Sequence, residues 1–215
     1  MAQMNPTEAV SEVFKLFSSL FDGPPPAPTA SQLLDNVLRE LRQALGLGER
    51  DWPVVPEDFA AEYEGLFLVP TGGRQLSLYS TSYHEDSQAR AEFLPAVLML
   101  AETLRIPWKK QEFVPGRAYP TMPDHLSIEF GLLSRAALID LDTVVAGRSS
   151  AKWNSVLASE IAGALKQIEA TMLARGGPRE YPAYYEVVTV AQAYVKAYKD
   201  IIVGDRSPRR AVGKG

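Results

Sequence analysis

Tyr119-Pro-Thr-Met-Pro-Asp-His-Leu-Ser-Ile-Glu-Phe-Gly-Leu-Leu133 is a proline-marked loop that turns into a helix. Pro123 or Asp124 suits the first turn, where a missing N–H costs nothing and a carboxylate favours the positive end of the helix. Leu126, Phe130 and Leu133 then recur at helical spacing. The run carries Glu129 and His125, one of only two histidines in 215 residues.

The same grammar extends in both directions. Asn5-Pro6-Thr7 opens a segment with Val10, Val13, Phe14, Phe17, Leu20 and Phe21 on one face. It stops at the connector Gly23-Pro-Pro-Pro-Ala-Pro28, which cannot be helical. Thr29 or Ser31 is expected to cap a second helix, with Leu34, Val37, Leu38, Leu41 and Leu45 inward and Gly46 and Gly48 at its close. A third helix carries Phe59, Tyr63, Leu66 and Phe67, and Pro70-Thr-Gly-Gly73 breaks it.

Residues 74–86 alternate as a strand would, with Leu76, Leu78 and Ser80 on one side. No partner strand is evident, so an extended loop is expected. A fourth helix spans about 87–104 with Pro95 inside it, followed by a proline-rich loop at 107–123 that could serve as a hinge. The helix opened by Pro123 runs to about 145. Two more span about 150–174 and 182–203, separated by Gly176-Gly-Pro178. No fixed repeat is visible. The expectation is a single all-α domain of about seven helices over residues 1–203, with a disordered basic tail at 204–215.

Composition narrows the function. There is no cysteine, which excludes a disulfide framework and thiolate chemistry. The hydrophobic fraction of 46% beside 22% charged residues is that of a globular protein. No run is long enough to cross a membrane, and the N-terminus lacks a signal-peptide pattern, so a cytoplasmic protein is expected. The net charge of -4 argues against nucleic-acid binding and is compatible with a basic partner.

Three patterns, in order, resemble the redox-enzyme maturation chaperones of the TorD, DmsD and NarJ type. They are Tyr63-Glu-Gly-Leu-Phe67, Ser77-Leu-Tyr-Ser-Thr-Ser-Tyr83 and Pro123-Asp124-His125-Leu126 with Glu129 and Phe130. Tyr184-Tyr185 with Val188 and Ala191 is similar to the end of those proteins. Ser77 stands where the loop pattern has proline and Thr81 where it has serine, which marks a divergent branch. The resemblance implies a cytoplasmic chaperone, without a cofactor or metal of its own, for one molybdenum-cofactor oxidoreductase of anaerobic respiration. Its partner would be the apo-form of the catalytic subunit or its twin-arginine signal peptide. It also implies a monomer or a domain-swapped dimer. The client-facing positions it indicates are Tyr63, Leu66, Phe67, Thr81, Tyr83, Asp124, His125 and Glu129.

The chemistry of these residues suits a basic, then apolar, peptide. Asp124 and Glu129 could meet arginine, with Glu64 and Asp86 as outer candidates, while Tyr63, Phe67 and Tyr83 offer apolar and cation–π surface. Each aromatic is equally compatible with a plain core position, and Glu129 with a carboxyl satisfied by a neighbouring hydroxyl. Asp124 is expected both to cap its helix and to hold the loop before it. Two rival classes are a helical interaction adaptor and a metal-dependent enzyme using His84 with Asp86 or His125 with Asp124 and Glu129. The spacing of a helical metal site, a phosphate loop and a nucleophile elbow are all absent, which disfavours catalysis.

Overall fold

The computed structural model describes residues 5–68, 75–83, 87–106, 111–114, 117–119, 122–138 and 151–204. Helix α1 spans Pro6–Asp22. Its start is a capping box: the Asn5 side chain accepts the Thr7 N–H at 3.1 Å while the Asn5 N–H reaches Glu8 at 3.3 Å. Helix α2, Ala27–Gln32, passes through a π turn at Leu33–Leu38 into α3, Arg39–Ala44. Helix α4, Asp58–Tyr63, likewise enters a π turn at Glu64–Leu68. After a 3-10 turn at Ser80–Tyr83 come α5, Ser87–Thr103, and α6, Leu126–Leu138. Helices α7, Ala151–Ala174, and α8, Pro182–Gly204, complete the order. With each π-interrupted run counted as one rod, the described residues form seven helical rods in an all-α bundle.

Three local expectations are corrected. The second helix starts at Ala27, with Pro26 at its cap and no side-chain bond there, because the fixed ring geometry of Pro26 already sets the entry. Val37 is 39% exposed rather than inward, since the π turn that contains it rotates the following residues away from a 3.6-residue register. The 107–123 loop contains a small antiparallel hairpin, Gln111–Val114 (β1) against Arg117–Tyr119 (β2), with a bulge between Glu112 and Val114. The fifth helix is described to Leu138, and its expected extension to 145 lies outside the described residues. So do the 70–73 break, Trp108, His84, Asp86 and the tail after Gly204.

The bundle is organised by α1 on α6 and α7 on α8, its two most extensive helix pairs. Small residues let α1 and α6 approach. Ser11 and Ser134 hydroxyls meet at 2.9 Å, and Gly131 sits across from Ser18. Around this seam Phe14, Phe17 and Phe21 all pack on Phe130, at ring-centroid distances of 6.2, 5.4 and 5.5 Å. A second aromatic group joins Phe59, Tyr63 and Phe67 to Tyr184 of α8, each at 5.5–5.6 Å. Its two tyrosines have a further task. The Tyr184 hydroxyl donates to the Leu20 carbonyl at 3.0 Å and Tyr63 to the Phe21 carbonyl at 3.3 Å, both at the open end of α1.

Both phenols are buried, and burial pushes their ionisation well above the ordinary tyrosine range, so they stay neutral donors. Tyr184→Phe keeps the ring and strands the Leu20 carbonyl in the core. It should cost about 1–3 kcal/mol, read as a lower urea midpoint with an unchanged denaturant slope. Tyr63→Phe, which loses a longer bond, should cost less.

Candidate functional site

Segment 75–83 is where the three sequence patterns meet. Its first residues hang from the π turn of the first pattern: the Leu76 N–H donates to the Leu66 carbonyl at 2.9 Å, and the Gln75 side chain donates to the Phe67 carbonyl. A π turn widens the hydrogen-bond ring and leaves carbonyls at its end for such outside donors. The later residues are tied to the third pattern. Leu126 N–H donates to the Leu78 carbonyl at 2.8 Å, and Ser80 N–H to the Asp124 carbonyl at 3.0 Å, with an isolated antiparallel bridge between Tyr79 and His125. The strand-like alternation thus has a partner after all, and that partner is the entry of a helix. Leu76, Leu78 and Ser80 face inward as the alternation requires.

Side chains complete the junction. Ser80 Oγ donates to Glu129 Oε1 at 2.6 Å, and Thr81 Oγ1 donates to Asp124 Oδ2. Asp124 does hold the preceding segment, as expected, but it does not cap α6. The residue before Leu126 is His125, whose Nδ1 accepts the Ser127 N–H at 3.3 Å. A ring nitrogen serves here as the helix cap. The Ser127 hydroxyl lies 2.8 Å from that same nitrogen and 3.4 Å from Asp22 Oδ1, while the Ser127 carbonyl accepts Ser18 Oγ at 2.6 Å. Tyr79 stands edge-on to the imidazole, with centroids 5.2 Å apart. The junction is therefore stitched to the end of α1 as well.

Electrostatics here favour neutral groups. Burial lowers the His125 pKa to about 4, against which Asp22 and Asp124 pull weakly upward. An imidazole that accepts at a helix N-terminus has the same preference for the neutral form. Glu129 is 0% exposed, and its Oε2 has no hydrogen-bond partner. Burial raises its pKa well above 4.5; the Ser80 bond opposes this, and the nearby Asp124 and Glu160 add to it. Neither Asp124 nor Glu129 has a cation in ion-pair contact among the described residues.

The eight indicated residues fall into two groups. Thr81, Asp124 and Glu129 are buried and His125 and Tyr83 half-buried, all at the junction. Tyr63, Leu66 and Phe67 are buried beneath its near end and belong to the core in this conformation. Glu64 is exposed, and Asp86 and His84 lie outside the described residues. No group of three His, Asp or Glu side chains that could hold a metal occurs among the described residues.

One groove adjoins this region. It holds about 380 Å³ along the proline connector and is lined by Leu16, Leu20, Leu33 and Pro24–Pro26, with Asp22 as its carboxylate. Sequence reasoning missed Asp22 as a site residue, along with Glu62, whose buried carboxyl accepts the Ala183 and Tyr184 N–H groups at 3.0 and 2.8 Å to start α8. A signal existed for Glu62. Pro182 opens α8 with Tyr181 before it, and a helix start without a local cap needs an acceptor from elsewhere.

Two outcomes follow from the buried groups. A carboxyl whose folded pKa exceeds its unfolded value withdraws stability as pH rises. Glu129→Gln, which mimics the protonated acid, should match the parent below the ordinary carboxyl pKa of 4.5 and become progressively more stable than it above that. Urea titrations at acid and alkaline pH check this, and a pH-independent difference would refute it. In proton NMR titrations the His125 ring should remain neutral until about pH 4. Its lowered pKa contributes stability above the ordinary 6.5 that is lost as pH falls toward 4.

Among the described residues no helix is long and apolar enough to cross a membrane. The model of the family described as nitrate reductase delta subunit matches residues 27–167, well over half of the chain. No curated protein and no solved structure matches it. The matched span runs from the start of α2 into α7 and contains all three patterns that converge on segment 75–83. The chain belongs to the nitrate reductase delta subunit family, the redox-enzyme maturation chaperones that those patterns resemble.

Proposed function

We propose that this protein binds the apo-form of one molybdoenzyme catalytic subunit, and its twin-arginine signal peptide, in the cytoplasm, holding them until the cofactor is in place. The observation that carries this reading is the pair of acids under segment 75–83. Asp124 and Glu129 are buried against hydroxyls, with no cation in ion-pair contact among the described residues. Such a pair is poised for a guanidinium, which meets carboxylates with two parallel donors and is lightly hydrated.

Reaching those acids requires lifting segment 75–83. The lift breaks the hydroxyl bonds of Ser80 and Thr81 and the backbone bonds that tie Leu78 and Ser80 to Leu126 and Asp124, but leaves the anchor at Leu66 and Phe67 as a hinge. Client contact then falls to Thr81, Tyr83, Asp124, His125 and Glu129, with Tyr63, Leu66 and Phe67 as the floor that positions the segment. The groove beside the proline connector offers the apolar continuation such a peptide needs, and Asp22 links the two through Ser127. The mechanism is sequestration. The client's arginine replaces two serine-type hydroxyls, and its apolar stretch covers the groove.

A synthetic twin-arginine signal peptide should bind the full chain with about micromolar affinity in calorimetry. Glu129→Gln and Asp124→Asn should each weaken binding about tenfold, the loss expected for one charge-assisted contact. Because Glu129→Gln leaves the fold as stable or more so, weaker binding by that variant cannot come from unfolding. Absence of binding to any such peptide and to the apo-enzyme would refute the proposal.

A further inference from the structure

A second cleft, of about 280 Å³, shares no lining residue with the junction or the proline groove. Its walls include Arg39, Arg42, Gln43, Arg50, Trp52 and Glu186. Local sequence explains the gathering. Arg39, Arg42 and Gln43 sit three and four residues apart and so share one face of α3. The chain then reverses at Gly46, with φ 68°: its N–H returns to the Gln43 carbonyl and that of Leu47 to the Arg42 carbonyl, both at 3.0 Å. A second left-handed glycine, Gly48 with φ 72°, brings Arg50 back to the same cleft.

Arg42 is fully committed. It is 8% exposed, donates Nε to the Gly48 carbonyl at 2.9 Å and Nη2 to the Leu47 carbonyl at 3.3 Å, and pairs with Glu186 at 3.0 Å. Its guanidinium lies 5.4 Å from the Trp52 ring centre. The Trp52 indole N–H is held by the Pro182 carbonyl at 3.2 Å, and its ring meets Tyr185 edge-on. These contacts make a rigid frame in which the Arg42 and Glu186 charges cancel. Arg50 gives only its Nε, to the Trp52 carbonyl at 3.0 Å, and keeps its terminal amino groups. Neither Arg39 nor Arg50 forms an ion pair among the described residues. These two cations, outside ion-pair distance of any described acid, face the exposed Glu49 and share the field of Glu186, which Arg42 already pairs, on a chain whose overall charge is -4.

We propose that this cleft binds a small molecule through an oxyanion, phosphate or carboxylate, held by the terminal amino groups of Arg39 and Arg50 and the amide of Gln43. Arginine forks fit such groups in two-point geometry, and a preformed frame lowers the cost of ordering them. The volume lies at the small end of ligand sites, enough for one anionic group on a compact carrier. This site is independent of client binding, which calls for the opposite charge.

Calorimetry on the full chain at low salt, with pyrophosphate in one arm and citrate in the other, tests the assignment. Saturable binding of at least one anion is expected. It should weaken about tenfold or more in Arg39→Ala and in Arg50→Ala, and strengthen in Glu49→Gln. Circular dichroism should show each variant folded, since all three side chains lie outside the core. Preference for pyrophosphate identifies a phosphate-bearing ligand, and preference for citrate a carboxylate-bearing one. No saturable heat in either arm, or binding that both arginine substitutions leave unchanged, would overturn the proposal.

Discussion

Asp22 ends α1 where Gly23 is followed by Pro24, Pro25 and Pro26, and none of these three rings carries an N–H. The last carbonyls of a helix need donors from somewhere. Gly23 supplies one, to Ser19. The next two are met by phenol hydroxyls from α8 and α4, through Tyr184 and Tyr63. This single need fixes much of the bundle. It places α8 and α4 against the end of α1, and the rings that carry the hydroxyls pack on Phe59 and Phe67. Glu62, one residue before Tyr63, then starts α8 at Ala183 and Tyr184. Neighbouring residues on one short helix thus satisfy the end of one long helix and the beginning of another.

The same short helix leads to the site. Its π turn offers the Leu66 and Phe67 carbonyls to segment 75–83, whose far end is tied to Asp124, His125 and Leu126. A tyrosine that resembles a client-binding residue in sequence is therefore an internal support whose influence on the site passes through the backbone it anchors. The proline connector contributes twice, by forcing the tyrosine caps and by forming one wall of the apolar groove.

How much of this could be read from the sequence follows from distance along the chain. Helix starts and stops are local events, and the Asn5 box, the Gly46 reversal and the Gly176 break all stand where residue type puts them. Register inside a helix is less local. Nothing in Leu33–Leu38 announces a π turn, and Val37 turned outward because of it. Pairings between distant segments were out of reach. The alternation at Leu76, Leu78 and Ser80 could not name a helix entry some forty residues on as its partner. The charge on Asp124 pointed to a cap, but His125, one residue nearer the helix, holds that position. Arg39, Arg42 and Arg50 are spread along the chain, and only the glycine reversals bring them to one cleft.

Glu129 shows how the site and the fold compete for one residue. In the closed junction a single bond to Ser80 meets one oxygen, and the other has nothing. An apolar side chain of similar volume would pack there without the cost of an unsatisfied acceptor. Burial shifts the carboxyl toward its protonated form, which lessens the charge stranded in the core. The closed arrangement favours the neutral acid, whereas a cation favours the ionised one. In the proposed mechanism, segment 75–83 separates these conditions. While it lies down, the Ser80 and Thr81 hydroxyls are the partners of Glu129 and Asp124 among the described residues. Were it to lift as proposed, water or an arriving guanidinium would restore the charge. The hydroxyls at Ser80 and Thr81 suit that exchange, since each gives its acid a hydrogen bond and contributes no charge that an arginine would have to displace.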